Sequence, residues 1–481
     1  MPQDSILQSF ERLARQDPLA PLVVSPERRA TRGDVDALAR AAGSVLSRLG
    51  LPPGSVAGLV AANGPGFLAS LVALRRAGLA ALLMDGQTPE AESRRIVRGL
   101  GAAALLRCRT GWPEGPDDWS LEDARNLEEA APPLPLLPDV AVVKLTSGST
   151  GMPRGIATPA EALAADEAAL AATMGIRDDD RLLTAIPLSH SYGLSSLAVT
   201  ALVRGAVLVL PEESTLFDPL AAARQAEATV FPTVPAYLDA LLRISETPAW
   251  PSSLRLVLTA GALLAPATAS RFRETYGLPV HVFYGASECG GICYDREGGA
   301  GERGTVGTPV EGVRVVLEPV SDDAQDGGGV VTVHSPAVAS DYLPEPDPRL
   351  ADGRFVGGDL AVWRDGELVL RARLDNLVNI KGKKVNPREV EEVLADLPGV
   401  DEVVVLGMPM PERSGEMLRA VIACRPGRVS VEEVLAWCRQ RLAPHKVPRS
   451  VILVPEMPRT PRGKLDRSAL MALGAEVVRH A

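Results

Sequence analysis

The chain has 481 residues, 46% of them hydrophobic and 23% charged, with a formal net charge of -10. That length exceeds one ordinary compact core and that composition excludes a disordered chain, so two or more packed domains are expected. The acidic field disfavours non-specific binding to nucleic acid or anionic membrane, and any phosphate site has to be built locally.

Met1 to Phe10 carries Asp4 and no basic run ahead of an apolar core, which does not read as a secretory signal. Arg32 to Leu49 places Val35, Leu38, Ala39, Ala42, Val45, Leu46 and Leu49 on one helical stripe. Val56 to Ala61 and Ala80 to Met84 read as strands with a helix, Phe67 to Ala77, between them, a right-handed crossover in a parallel sheet. Asn63, Arg75 and Arg76 break the apolar stretch Ala57 to Ala81, so no membrane insertion is expected and the expected compartment is the cytoplasm. The proline-rich Ala131 to Pro138 reads as a linker. Short apolar runs recur at Arg181 to Ile186, Val207 to Leu210, Thr229 to Phe231, Leu254 to Leu258 and Val280 to Phe283, as a sheet covered on both faces requires. From Gly304 to about Leu370 the chain turns Val- and Gly-rich, which predicts a β-rich subdomain with strands at Val313 to Leu317, Val330 to Val333 and Glu367 to Leu370. A compact mixed pattern then follows: helix Pro387 to Leu397, strands Glu402 to Leu406 and Arg419 to Cys424, and helix Val431 to Leu442. The cysteines Cys108, Cys289, Cys293, Cys424 and Cys438 are too sparse for a disulfide framework. Cys289 and Cys293 lack the further ligands a metal site needs.

Lys144 to Gly155 reads KLTSGSTGMPRG and follows the strand-like Val140 to Val143. Thr146, Ser147, Ser149 and Thr150, with Gly148 and Gly151, supply hydroxyls and freely bending backbone that can wrap a polyphosphate, a flexible Ser/Gly surface loop being the other reading. The order of residues is not that of a Walker A loop, and an alanine-rich helix is expected after it. The segment resembles the phosphate-binding loop of the acyl/aryl-CoA synthetase, adenylation-domain and luciferase superfamily, with Arg154 where Lys is usual.

Further segments of that pattern follow in order. Tyr284-Gly285-Ala286-Ser287-Glu288 resembles the motif in which a ring stacks near adenine, a hydroxyl contacts phosphate and a glutamate holds Mg2+. Glu288 and Thr150 supply hard oxygens for that ion. Thr259-Ala260-Gly261-Ala262 is similar to the segment lining the adenine side. Gly358-Asp359-Leu360 matches a ribose-binding aspartate segment, with Gly357 for the usual Thr. Arg373-Leu374-Asp375 resembles the segment that supplies a ribose or phosphate contact, Arg373, and the hinge, Asp375. Lys381-Gly382-Lys383 resembles the loop at the thiol tunnel. Pro458 to Arg467 matches the terminal segment whose lysine, Lys464, stabilises the adenylation transition state. Pro187 to Leu194 is similar to the segment whose histidine, His190, gates the acid.

The resemblance implies an α/β fold. A large N-terminal domain, residues 1–374, would hold covered, mostly parallel sheets and the β-rich subdomain, followed by a small mobile α+β domain, residues 375–481. It implies ATP and Mg2+ as cofactors, an acyl-AMP intermediate, and transfer of the acyl group to CoA. His190, Ser191, Tyr192, Gly193, Thr233, Val234, Ala260 and Gly285 would wall the acid pocket. Relatives that activate amino acids carry an aspartate where Tyr192 stands, and no carboxylate lies between Pro187 and Val209. An unpaired ammonium in an apolar pocket is costly, which favours an aryl or aliphatic acid. A carrier-protein phosphopantetheine is the alternative acceptor, and a basic rim of Lys381, Lys383, Lys384, Arg439, Arg441, Lys446 and Arg449 suits either. A stand-alone amino-acid adenylation enzyme, a nucleotide sensor and a luciferase-type oxygenase are the other readings. The sensor is disfavoured by the presence of Lys464 and Asp375. Which acid is used and how many chains assemble have no signal in the sequence.

Overall fold

The stripe on Arg32 to Leu49 becomes helix Arg32–Leu46 and a short 3-10 turn, with Val35, Ala39, Ala42, Val45 and Leu46 buried. Thr31 starts it: its hydroxyl accepts the Asp34 N–H at 3.1 Å while the Asp34 carboxylate accepts the Thr31 N–H at 2.8 Å, a reciprocal cap. A computed structural model of the chain describes residues 4–127, 131–146, 153–212, 215–244, 248–319, 327–373, 378–380, 383–385, 387–409, 416–442, 446–460 and 465–473.

The chain forms two compact units. The first takes Met1–Val316, Thr332–Gly357 and Trp363–Val369, and the second Leu317–Val331, Gly358–Val362 and Leu370–Ala481. In the first unit, strands Val56–Ala61 and Ala80–Asp85 pair in parallel from Val56↔Ala80 to Ala61↔Asp85, with helix Pro65–Arg76 as the crossover. All six residues of Val56–Ala61 are buried, so its apolar run covers two faces. Each such Leu or Val contributes about 1.5–3 kcal/mol of burial. Strands Val140–Leu145 and Ala104–Cys108 flank this pair, also in parallel, and antiparallel strands close both edges of the resulting seven-stranded sheet. A nine-stranded sheet is the other layer. Its parallel centre runs His281–Ala286, Leu256–Thr259, Val230–Thr233, Arg181–Leu183, Val207–Val209 and Pro21–Val24.

The second unit pairs Glu402–Pro409 with Glu416–Ala423 antiparallel, and the latter with Ser450–Val454 in parallel. Helices Pro387–Ala395 and Val431–Arg441 supply buried Val390, Leu394, Val434 and Cys438 to its core. Strands Arg314–Glu318, Gly329–His334 and Glu367–Arg373 lie where the Val- and Gly-rich stretch predicts them, an unpredicted strand Arg354–Arg364 joins them, and this stretch is divided between the units.

Three expectations change. The loop after Val140–Leu145 does not run straight into a helix: strand Gly155–Pro159 comes first and pairs back antiparallel, Leu145↔Gly155. Gly, Ala and Pro in that strand hide it from propensity, and cross-strand pairing decides it. Residues 131–138 are not a free linker. The N–H groups of Ala131, Leu134 and Leu137 donate to the carbonyls of Arg98, Gly101 and Gly54 at 3.0, 3.1 and 2.7 Å, and Leu134 and Leu137 pack on the core beneath. Finally, the run Arg181 to Ile186 is a strand only to Leu183, because the chain turns there to carry the segment described next.

Candidate active site

Thr146 and Arg154 are described residues that flank the segment expected to bind phosphate. The Thr146 N–H donates to the Arg154 carbonyl at 3.0 Å, and the Arg154 N–H donates to the Thr146 hydroxyl at 3.1 Å. These two residues therefore extend the pairing of strands Val140–Leu145 and Gly155–Pro159. Ser147, Gly148, Ser149, Thr150 and Gly151 lie outside the described residues. The Arg154 guanidinium donates to Asp347 Oδ2 at 3.0 Å and to the Glu345 carbonyl at 2.8 Å, and it lies 4.3 Å from the centre of the Tyr342 ring.

Strand His281–Ala286 runs through Tyr284 and Gly285 rather than stopping before them. Just past its end, the Ser287 hydroxyl accepts from Ser191 at 2.7 Å, which joins the phosphate side to the acid side. Glu288 Oε1 accepts from the Tyr342 hydroxyl at 2.8 Å. Tyr192 packs its ring 5.6 Å from that of Phe283 and donates to the Leu258 carbonyl at 3.4 Å. Burial pushes its phenol well above the usual tyrosine range, so the ring stays neutral. Thr233 and Thr259 are opposed at the ends of adjacent parallel strands, Ala260 is buried behind them, and Val234, Gly261, Ala262 and Gly285 are exposed. Thus the expected acid wall gathers at the carboxyl ends of three parallel strands, where open α/β sheets bind ligands.

His190 opens the helical segment that begins at Ser191, and its Nε2 lies 3.8 Å from Asp85 Oδ2, with half its side chain exposed. Asn63 fastens this loop to the neighbouring sheet, donating to the Ile186 carbonyl at 3.0 Å and accepting the Leu188 N–H at 2.8 Å. Gly193 is needed for space: a Cβ there would run into the Pro187 carbonyl. We expect Gly193→Ala to displace Pro187 to His190 at about 1–3 kcal/mol of strain. Pyrophosphate-release kinetics should show a raised KM for the acid and an unchanged KM for ATP. A cleft of about 790 Å3 opens beside this loop, lined by Asn63, Asp85, Trp112, Pro187, Ser189 and Glu212. It abuts the His190 segment but does not include Thr233, Val234, Ala260 or Gly285.

Residues 10–343 match the family described as AMP-binding enzyme, and residues 389–464 match the AMP-binding enzyme C-terminal domain. The chain belongs to the AMP-binding enzyme family. This AMP-binding enzyme is 32% identical to a feruloyl-CoA synthase of Amycolatopsis over 87% of the chain and 89% of that protein. It is 27% identical to a long-chain-fatty-acid–CoA ligase of Mycobacterium tuberculosis, over 93% of each chain. In fold it is similar to ATP-bound MatB from Rhodopseudomonas palustris, with a TM-score of 0.81 at 24% identity over 97% of this chain and 98% of that one. It is an adenylate-forming enzyme of the acid–thiol ligase type.

Other expected site residues of the AMP-binding enzyme fall elsewhere. Asp359 is half-buried in strand Arg354–Arg364 of the second unit. Arg373 ends strand Glu367–Arg373, and Lys383 begins strand Lys383–Val385. Asp375, Lys381, Gly382 and Lys464 lie outside the described residues. In the basic rim, Lys446 is paired with Glu389, and Arg441 lies 3.4 Å over the Trp437 ring.

The donor set suits Mg2+ that arrives with nucleotide. Among the described residues no group of three or more His, Cys, Asp or Glu side chains makes a cage, and Mg2+ is commonly held by one or two carboxylates plus substrate phosphates. Glu288 is the carboxylate expected there. No helix among the described residues is long and apolar enough to cross a membrane.

Two groups of residues escaped the sequence reading. Lys144, 4% exposed, lies within electrostatic reach of Asp166 and Glu288. Burial pushes its ammonium down and the Asp166 carboxyl up, and each charge opposes the shift of the other. Asp166 accepts the Gly291 N–H at 2.9 Å and a bond from Ser195, which favours the carboxylate. The available signal was a lysine inside the apolar strand Val140–Leu145. For Tyr342 and Asp347 there was none, since neither stands in a recognisable motif.

Proposed function

We propose that this AMP-binding enzyme activates an aryl or aliphatic carboxylic acid with ATP to acyl-AMP, releases pyrophosphate, and passes the acyl group to the thiol of CoA. Tyr192 carries the choice of acid. It is neutral, partly buried against Phe283 and bonded to a backbone carbonyl, and it offers nothing to pair a substrate ammonium. A charge desolvated beside it would cost several kcal/mol (about 3 or more). The 2.7 Å contact of Ser191 with Ser287 supports a carboxylate presented directly to the α-phosphate.

The chain's own residues divide the work. The Thr146–Arg154 loop, with Ser147, Gly148, Ser149, Thr150 and Gly151, wraps the phosphates, and Ser287 adds a hydroxyl. Tyr284, Gly261 and Ala262 border adenine, Asp359 takes the ribose hydroxyls, and Arg373 contacts ribose or phosphate. Thr150 and Glu288 hold Mg2+, which when bound neutralises charge on the departing pyrophosphate. Lys464 bridges carboxylate and α-phosphate as charge develops. His190 lies at the mouth of the acid site. Residues 375–481, hinged at Asp375, then bring Lys381, Gly382 and Lys383 to the thiol. The cytoplasm is the proposed compartment.

Pyrophosphate release measured with ATP, Mg2+ and panels of aryl, fatty and amino acids tests this. Release with an aryl or fatty acid, and thioester made only when CoA is supplied, is the expected result. Release with amino acids alone would overturn the choice of acid. Thioester on a phosphopantetheinylated carrier protein but not on CoA would overturn the choice of acceptor.

A further inference from the structure

We propose that Arg154 is a positioning residue that sets Glu288 for the nucleotide-borne metal through Tyr342, rather than itself binding phosphate. The inference rests on the reading of Glu288 as the metal-side carboxylate. Its basis is how the guanidinium is engaged: one nitrogen donates to Asp347, the other to the Glu345 carbonyl, and the face covers Tyr342. A planar fork meets these demands together, and the compact ammonium of a lysine does not. Asp347 is bound from a second side by Arg349 at 2.8 Å, so the acceptor end of the clamp is itself fixed.

Tyr342 is the link. It is 4% exposed and lies in strand Asp341–Leu343, where it is opposed to Ile156; Ile156 in turn is opposed to Lys144. These strands carry the base of the phosphate loop. The Tyr342 hydroxyl donates to Glu288 Oε1 at 2.8 Å, and the Glu288 carbonyl accepts the Ala339 N–H at 2.8 Å. Side chain and backbone of Glu288 are thereby both held by residues 339–342. Arg154 presses on the ring of the residue that orients the carboxylate, and it immediately precedes the strand Gly155–Pro159 that carries Ile156. Loop closure and carboxylate orientation are coupled through one side chain.

The test uses Mn2+ as the probe ion with the full chain and a non-hydrolysable ATP analogue. Free Mn2+ is followed by electron paramagnetic resonance, and binding of the analogue without metal is measured separately by calorimetry. Glu288→Gln and Tyr342→Phe are each expected to weaken Mn2+ binding in the ternary complex about tenfold, as loss of a bond to a charged group implies. Arg154→Lys should weaken it several-fold, and Arg154→Lys/Tyr342→Phe no further than Tyr342→Phe alone, since residues in one network do not add. Metal-free analogue binding should stay within about twofold in all four. If Arg154→Lys weakens metal-free binding as much as Mn2+ binding, Arg154 is a phosphate ligand and the inference is wrong. It is equally wrong if Tyr342→Phe leaves Mn2+ affinity unchanged while Glu288→Gln lowers it. No effect of Glu288→Gln would remove the reading of Glu288 itself.

Discussion

Lys464→Ala is expected to lower acid-dependent pyrophosphate release by about 100-fold or more, the magnitude typical of removing one preorganised partner of developing charge. The reaction brings a carboxylate against the α-phosphate, and two anions approaching in a partly dry site repel strongly. The segment bearing Lys464 is anchored on both sides. Arg459 and Leu465 form a β-bridge, Arg459 is paired with Glu402 at 2.8 Å, and Asp466 caps helix Arg467–Ala472 by accepting the Ala469 N–H at 2.9 Å. The substitution should therefore leave the fold intact. An unfolding free energy within about 0.5 kcal/mol of wild type, from chemical denaturation, is expected. Thioester formation from pre-made acyl-AMP and CoA should survive, because that step no longer joins two anions. A variant that kept full pyrophosphate release would remove Lys464 from adenylation.

Asp166→Ala is expected to be the most destabilising single change near the site, by about 3–5 kcal/mol, the cost of leaving one member of a buried charged set uncompensated. Lys144 and Asp166 are each 4% exposed. Without Asp166 the Gly291 N–H loses its acceptor, and the Lys144 ammonium keeps the smaller compensation from Glu288. Asp166→Asn keeps an acceptor for Gly291 and removes only the charge, so a smaller loss is expected. Lys144→Met with Asp166→Asn should recover most of it, because a neutral pair has no charge left to desolvate. Denaturant titrations of wild type, Lys144→Met, Asp166→Asn and the double variant give the coupling energy. Additive losses would show that the two groups do not share one electrostatic environment.

Much of the fold is legible in the sequence because burial sets period. The strands Val56–Ala61 and Ala80–Asp85 and the helix between them follow from apolar runs alone. The hairpin strand Gly155–Pro159 does not, since its residues are poor strand formers held by pairing, and the strap over residues 131–138 depends on backbone bonds to chain 30 or more residues away. At the site, Ser191, Tyr192, Ser287 and Glu288 are recognisable as motif residues, and the structure adds which atoms meet. Gly193 stands in the motif without an evident reason until the Pro187 carbonyl is seen beneath it. Arg154 illustrates the limit. A cation in a phosphate loop suggests a phosphate contact, but its partners Glu345, Tyr342 and Asp347 come from more than 180 residues downstream, and no local pattern announces them.

The central claim is that a carboxylate oxygen of the substrate attacks the α-phosphorus of ATP before the thiol acts. Oxygen-18 placed in the carboxyl group of an accepted acid tests it directly. Mass spectrometry after complete turnover with CoA should find one labelled oxygen in AMP and none in pyrophosphate, because thiol attack on the acyl-AMP leaves that oxygen on the phosphate. Label appearing in inorganic phosphate with ADP as the nucleotide product, or AMP free of label, would contradict an acyl-adenylate intermediate.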